Sequence, residues 1–153
     1  MKLPSIPRWR TLISSSLLDL RYVCIISIDP STKEWSYTKP DGSFVAIKET
    51  TSETWSYSLA EIKETGFQMP YSEAGRMYYS YGSKLYIKGV VSDGKTTGVI
   101  LPSLSNPSDP NAKIYFDWLE FSVAGNGTWV NTTQVDQFGF PVLIHVYDKD
   151  GSL

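Results

Sequence analysis

Residues 114–135 read IYFDWLEFSVAGNGTWVNTTQV. Two arms rich in aromatic and β-branched side chains, 114–123 and 129–135, flank Gly125-Asn126-Gly127, the residue types that a tight hairpin turn requires. Along the first arm Tyr115, Asp117, Leu119, Phe121 and Val123 alternate onto one side and are mostly apolar, so they read as the core face. Phe116, Trp118, Glu120 and Ser122 take the other side, which places Glu120 away from most of the apolar residues and beside aromatic rings. A three-residue loop is expected: it sets Glu120 opposite Thr132 and brings Asp136 to the same face, whereas a two-residue loop reverses that parity.

Upstream, short strand-like segments alternate with turn residues. Residues 20–28 form a candidate strand closed by Asp29-Pro30, and residues 35–38 and 44–47 flank Lys39-Pro40-Asp41-Gly42, a hairpin turn whose Pro presets φ and whose Gly accepts φ > 0. Residues 54–59 read as a further strand, followed by 60–64, a stretch too short to fix as a helix. Gly82-Ser83 between residues 76–81 and 84–91 predicts a second two-residue hairpin. A strand at 99–101 leads into residues 102–111, where Pro102, Pro107 and Pro110 exclude a place inside a sheet. A last strand is expected at 142–147. Eight to ten short, mostly antiparallel strands imply an all-β sandwich or flattened barrel.

At 153 residues the chain fits one ordinary domain. A single cysteine, Cys24 in an apolar run, excludes an intramolecular disulfide and a thiolate zinc site, and reads as a small buried residue. The net charge of −2 is spread without blocks, so neither nucleic acid nor an anionic membrane is implied as a partner. No apolar run approaches the ~20 residues of a spanning helix. His145 is the only histidine, and Asp109 and Asp117 lack calcium-loop spacing, so no triad, metal or cofactor is expected. The N-terminus carries basic residues and a short apolar patch, but Pro4, Pro7 and Asp19 make it a poor signal peptide. Five Trp and ten Tyr offer faces for sugar rings, although the same residues simply favour strands.

Three segments bear a more specific pattern: Ala74-Gly75-Arg76-Met77-Tyr78-Tyr79-Ser80 with Lys84-Leu85; Leu101-Pro102-Ser103 with residues 106–111; and residues 115–121 followed by 130–141. Together they resemble the glycoside hydrolase family 64 β-1,3-glucanases, relatives in fold of the thaumatin-like proteins. The resemblance implies a thaumatin-like β-sandwich over residues 20–153, with residues 1–19 as an unassigned extension, a β-1,3-glucan partner, and secretion. Family members are usually longer, with a second α/β-rich part forming the other wall of the glucan groove. The plant thaumatin-like proteins are disulfide-dense, so the bacterial or fungal glucanases are the better comparison for a chain with one cysteine.

By the same resemblance, Glu120 is the general acid and Asp136 the general base of an inverting hydrolysis, the two-carboxylate chemistry that a glycosidic bond requires. Phe116 and Trp118 are expected to desolvate Glu120, as an acid that holds its proton near neutrality needs. Trp118 and Trp129 are candidate sugar platforms, and Ser122, Asn131 and Thr133 candidate hydroxyl partners. Arg76 either lines the groove or pairs with a structural carboxylate. On the expected register Asp136 lies four residues past the partner of Glu120, about 13 Å along an ideal strand. Inverting pairs stand roughly 6.5–9.5 Å apart, so the side chains must lean together or a bulge near Gln134 must shorten the gap. Asn126-Gly127-Thr128 and Asn131-Thr132-Thr133 also fit the glycosylation acceptor pattern, which matters only in a eukaryotic secretory route. Two alternatives stand beside the enzyme: a non-catalytic β-1,3-glucan-binding module or truncated relative lacking the second groove wall, and a purely structural sandwich. Exposed edge strands would also invite self-association.

Overall fold

The computed structural model describes residues 21–132, 138, 139, 141 and 144. Its main sheet is antiparallel throughout and built around β1 (Arg21–Ile28), whose run of Val23, Cys24, Ile25 and Ile26 is buried on both faces. β2 (Trp35–Thr38) and β3 (Phe44–Ala46) extend it on one side across the expected hairpin, where Gly42 takes φ 85° and the Asp41 carboxylate accepts the Ser43 amide. β5 (Ser72–Tyr81), β8 (Tyr115–Ala124) and β9 (Gly127–Asn131) extend it on the other side, giving the order β3-β2-β1-β5-β8-β9.

Two apolar clusters sandwich this sheet. Val23, Ile25, Met77, Leu119, Phe121 and Val123 face one cluster, capped by Leu59, Ile62, Phe67 and Met69. Cys24, Ile26, Tyr78 and Phe116 face the other, closed by Ile47, Trp55, Leu85 and Ile87. Ile25 and Ile26 are almost fully buried, each worth about 1.5–3 kcal/mol of apolar transfer, so consecutive residues of one strand tie both layers together. Tyr37 of β2 stacks on Trp55 with centroids 5.0 Å apart.

Where residues 54–59 promised a strand, the chain forms α1 (Ser52–Trp55), a two-residue β4 (Tyr57–Ser58) paired to β1, and α2 (Leu59–Ile62). A capping box decides this locally. Ser58 Oγ accepts the Glu61 amide at 3.2 Å and Glu61 Oε2 accepts the Ser58 amide at 2.6 Å, so residues 58–61 turn into a helix start.

The hairpin expected at Gly82-Ser83 does not form. The chain turns at Gly82 (φ 82°), but β1 and β8 occupy both edges of β5, and residues 84–87 leave the sheet to bury Leu85 and Ile87. Instead β6 (Lys88–Ser92) pairs with β7 (Lys95–Ile100) across Asp93-Gly94. Both turn residues have positive φ, 50° and 75°, as a type I′ hairpin needs. Glu34 joins this hairpin to the main sheet by accepting the Lys48 ammonium at 2.7 Å and the Thr96 amide at 2.9 Å.

Residues 102–111 form the expected irregular loop. Asn111 holds it like a rung of sheet: its amide oxygen accepts the Tyr86 N–H at 2.7 Å and its amide nitrogen donates to the Tyr86 carbonyl at 2.9 Å. The strand expected at 142–147 lies outside the described residues except for Ile144, which packs on the first cluster. The result is an all-β flattened sandwich of nine strands among the described residues.

Candidate active site

The β8–β9 turn contains two residues, Gly125 and Asn126, because Ala124 pairs with Gly127. This overturns the expected three-residue loop. Glu120 stands opposite Asn131 and Ser122 opposite Trp129, so β9 offers its odd-numbered positions to the face carrying Glu120. Val130, opposite Phe121, packs on the first core cluster, which fixes that register by burial.

The face is layered along β8. Phe116 is buried in the second cluster, and Trp118, Glu120 and Ser122 are half-buried. The expected face assignment of β8 therefore holds for Asp117, Leu119, Phe121 and Val123 but fails at Tyr115 and Phe116. Tyr115, expected in the core, is 72% exposed at the strand's first position, and Phe116, expected outward, is buried, because the second cluster covers the face inferred to be open.

Across the sheet β5 supplies what the sequence left open. Arg76 is the direct cross-strand partner of Glu120 and Tyr78 that of Trp118. An Arg76 Nη2 to Glu120 Oε1 contact of 3.0 Å makes an ion pair, Arg76 Nη1 donates to the Tyr78 hydroxyl at 3.4 Å, and the guanidinium carbon lies 6.0 Å from the Trp118 ring centre. Burial opposes the charge on Arg76, but the hydrogen bond to Tyr78 and the fields of Tyr78 and Glu120 outweigh it and hold the guanidinium above its ordinary pKa. Burial likewise raises the Tyr78 phenol, against the pull of Arg76. Trp118 leans on Tyr78 at 5.9 Å and on Phe116 at 6.3 Å, a continuous aromatic step that ends at the ion pair.

Opposite Ser122, β5 carries an extra residue. Ser72 pairs with Val123 and Gly75 with Phe121, and the bulge between them puts Ala74 at φ 50°. The next residue, Gly75, passes directly over the Phe121 ring. A Cβ there would sit 2.8 Å from Cδ2 and nearer still to Cε2 and Cζ. This close approach lets β5 lie against β8 at the rung where Arg76 meets Glu120.

Of the residues singled out in the sequence, Trp118, Glu120, Ser122, Trp129 and Asn131 come together on this face, with Trp129 54% exposed. Thr133 and Asp136 lie outside the described residues, as does His145. Of the two roles open to Arg76, pairing with a carboxylate is realised, and the carboxylate is Glu120 itself. Tyr78 was missed altogether. Its alternation with Arg76 was visible, but its register against Trp118 was not. Among the described residues no group of His, Cys, Asp or Glu is arranged to hold a metal ion.

Comparison with known proteins gives this face a context. The model of the β-1,3-glucanases of glycoside hydrolase family 64 matches residues 13–153. A glucan endo-1,3-β-glucosidase of Cellulosimicrobium cellulans is 40% identical over 80 residues, covering 52% of this chain and 14% of that protein. The laminaripentaose-producing β-1,3-glucanase of Paenibacillus barengoltzii superposes with a TM-score of 0.70 at 34% identity, over 81% of this chain and 32% of that one; its structure complexed with laminarihexaose gives 0.70 at 32% over the same shares. A β-1,3-glucanase domain from Clostridium beijerinckii gives 0.68 at 31%, over 78% and 36%. The chain thus spans about a third of the length of these solved relatives and 14% of the curated one. With the family match running along nearly all of its sequence and the sheet superposing on solved members, this chain belongs to the glycoside hydrolase family 64 β-1,3-glucanases.

Proposed function

We propose that the Glu120 face binds β-1,3-glucan and that Glu120, with Asp136, hydrolyses it by inversion; this pairing requires that the parity of the β8–β9 ladder, which gives odd-numbered positions to this face and ends at Asn131, not carry on to Asp136. One observation carries the reading: in a chain of this family, Glu120 lies on an accessible sheet face between an aromatic step ending at Trp118 and a polar rung formed by Asn131, with Trp129 one rung away. Rings stack against apolar sugar faces, and the amide of Asn131 and hydroxyl of Ser122 meet sugar hydroxyls. Glu120 protonates the leaving oxygen while Asp136 takes a proton from the water attacking the anomeric carbon. The Paenibacillus barengoltzii relative, crystallised with laminarihexaose, supports a gluco-oligosaccharide as ligand.

A second reading draws on the Arg76–Glu120 ion pair. The guanidinium sits 3.0 Å from Glu120 Oε1, so in the free chain that oxygen is already engaged by Arg76. Binding without cleavage would use the same face. For catalysis, sugar hydroxyls must draw Arg76 away first.

Incubating the chain with soluble β-1,3-glucan and assaying reducing ends separates the two. Hydrolysis that disappears in Glu120→Gln and in Asp136→Asn supports the enzyme. Retention of glucan with no new reducing ends assigns a binding module.

A further inference from the structure

At the far end of β8 from the ion pair, the loop that follows Pro102 folds back and borders a half-open cavity of about 600 Å³. Its rim holds exposed aromatic side chains, Tyr115 at 72% and Phe138 at 68%, and its wall mixes apolar Leu104, Pro107 and Ile114 with polar Ser103, Asn106 and Lys113. Tyr115 stands directly opposite Tyr81, itself 41% exposed, so the two tyrosines share one sheet face beside the cavity. Tyr115 alternates to the sheet face opposite Glu120, five residues away along β8, or ~17 Å. Phe116, which also lines the cavity, lies on the Glu120 face but is buried, so a covered position separates the cavity from the exposed part of that face.

We propose that this cavity and the two tyrosines beside it form a second carbohydrate site, taking one or two pyranose rings of a β-1,3-glucan and holding a long chain away from Glu120. Its size falls within the roughly 300–1,000 Å³ typical of small-ligand sites. Exposed rings beside hydroxyls, an amide and a single ammonium match a neutral polyol with apolar C–H faces better than an anion or a lipid. The identity of the sugar rests on the function proposed above; the position rests on the cavity alone.

The site is also preformed, so little ordering opposes binding. Asp109 accepts the amides of Ser103 at 3.0 Å and Asn111 at 2.7 Å, and Asn111 anchors the loop to Tyr86. On the opposite rim, Gly139 donates to Asp117 Oδ2 at 3.0 Å. A Cβ on Gly139 would sit 2.9 Å from the Phe116 carbonyl carbon and closer to its oxygen, so only glycine lets the backbone lie flat on β8 and set Phe138 at the cavity edge.

The test is a titration of the isotope-labelled chain with β-1,3-linked glucopentaose, followed by amide NMR. Two separate groups of shifts are expected, one at Trp118, Ser122, Trp129 and Asn131, the other at Ser103, Asn106, Lys113 and Tyr115. In the Tyr115→Ala and Phe138→Ala variants, both at exposed positions, the second group should weaken about tenfold or vanish while the first is unchanged. Shifts in the first group alone overturn the second site and leave the Glu120 reading intact. Shifts in the second alone support this site and overturn the Glu120 reading, and absence of both overturns both. Sugar-independent shifts in the second group that grow with protein concentration would assign the cavity to a second copy of the chain and overturn the proposal.

Discussion

Replacing Gly75 by alanine places a methyl group against the Phe121 ring, 2.8 Å from Cδ2 and nearer to two further ring carbons. Carbon atoms normally rest ~3.5–4.0 Å apart, so strand or ring must give by about an ångström. The ring has little room. Phe121 is 3% exposed and packed among Met77, Leu119 and Val123, so relief must come from separating β5 and β8. Overpacking of this kind costs roughly 1–3 kcal/mol, and a middle value of about 2 lowers Tm by about 4–8 °C in a domain of this size. Because Gly75 and Phe121 adjoin Arg76 and Glu120, the separation falls on the site, and glucan affinity should drop with stability. Calorimetry and affinity electrophoresis in glucan gels measure the two effects. The Gly75→Ala/Phe121→Leu double variant should recover about 1 kcal/mol relative to the sum of the single changes, since leucine removes the clashing edge. A Gly75→Ala protein that melts with its parent, or a cycle with no coupling, would refute the close-approach argument.

Three further outcomes follow from buried or paired groups. Asn111→Ala removes the two-point bond to Tyr86 and the bond to Asp109, and should cost about 2–3 kcal/mol in urea unfolding; an unchanged midpoint would mean the loop is held by other contacts. Burial pushes the Cys24 thiol up to about 12, so a thiol reagent at pH 8 should label it only after unfolding, and rapid labelling of the native protein counts against its place in the core. The Lys48 hydrogen bond and the Thr96 amide hold the Glu34 carboxyl below its ordinary 4.5. The unfolded chain therefore takes up that proton first on acidification, and the stabilisation is present above pH 4.5 and lost as pH falls through the folded value. Melts from pH 6 to 3 should show a shallower decline for Glu34→Gln than for the parent; parallel curves would rule this linkage out.

Local chemistry was legible in the sequence and long-range register was not. Pro40-Asp41-Gly42 dictated the β2–β3 turn because each of its residues acts within four positions of itself, and the prolines of 102–111 excluded strand by the same logic. The Ser58–Glu61 capping box is equally local, yet it lay beneath a run of β-favouring residues, and the aromatic pattern of 54–59 read as strand. At Gly82-Ser83 the turn was real and only the partner was wrong, since the choice between pairing forward and pairing with β1 and β8 is made by tertiary burial. Tyr115 and Phe116 misled for a related reason. Alternation separates two faces but does not say which is covered, and this sheet is covered on both.

The site shows how much turns on one residue of loop length. Gly125-Asn126-Gly127 supports a loop of two residues or of three, and both give a plausible hairpin. With three, Val130 would oppose Ser122 on the open face, while Trp129 would oppose Val123 over the core. With two, Val130 packs beside Phe121 and Trp129 stands opposite Ser122, half-exposed. The compact valine suits the space between Phe121 and the cluster, whereas the bulky indole keeps a polar N–H that water or a sugar hydroxyl satisfies more readily than the core. Core packing at Val130 thus selects the register, and the register in turn delivers Trp129 and Asn131 to Glu120. Arg76 arrives by the same route from the other side. Met77 and Gly75 are drawn to the first cluster and to Phe121, and the residue between them is left facing Glu120. The polar face is in this sense the complement of the core, and its charge pair is set by apolar residues on the far side of the same two strands.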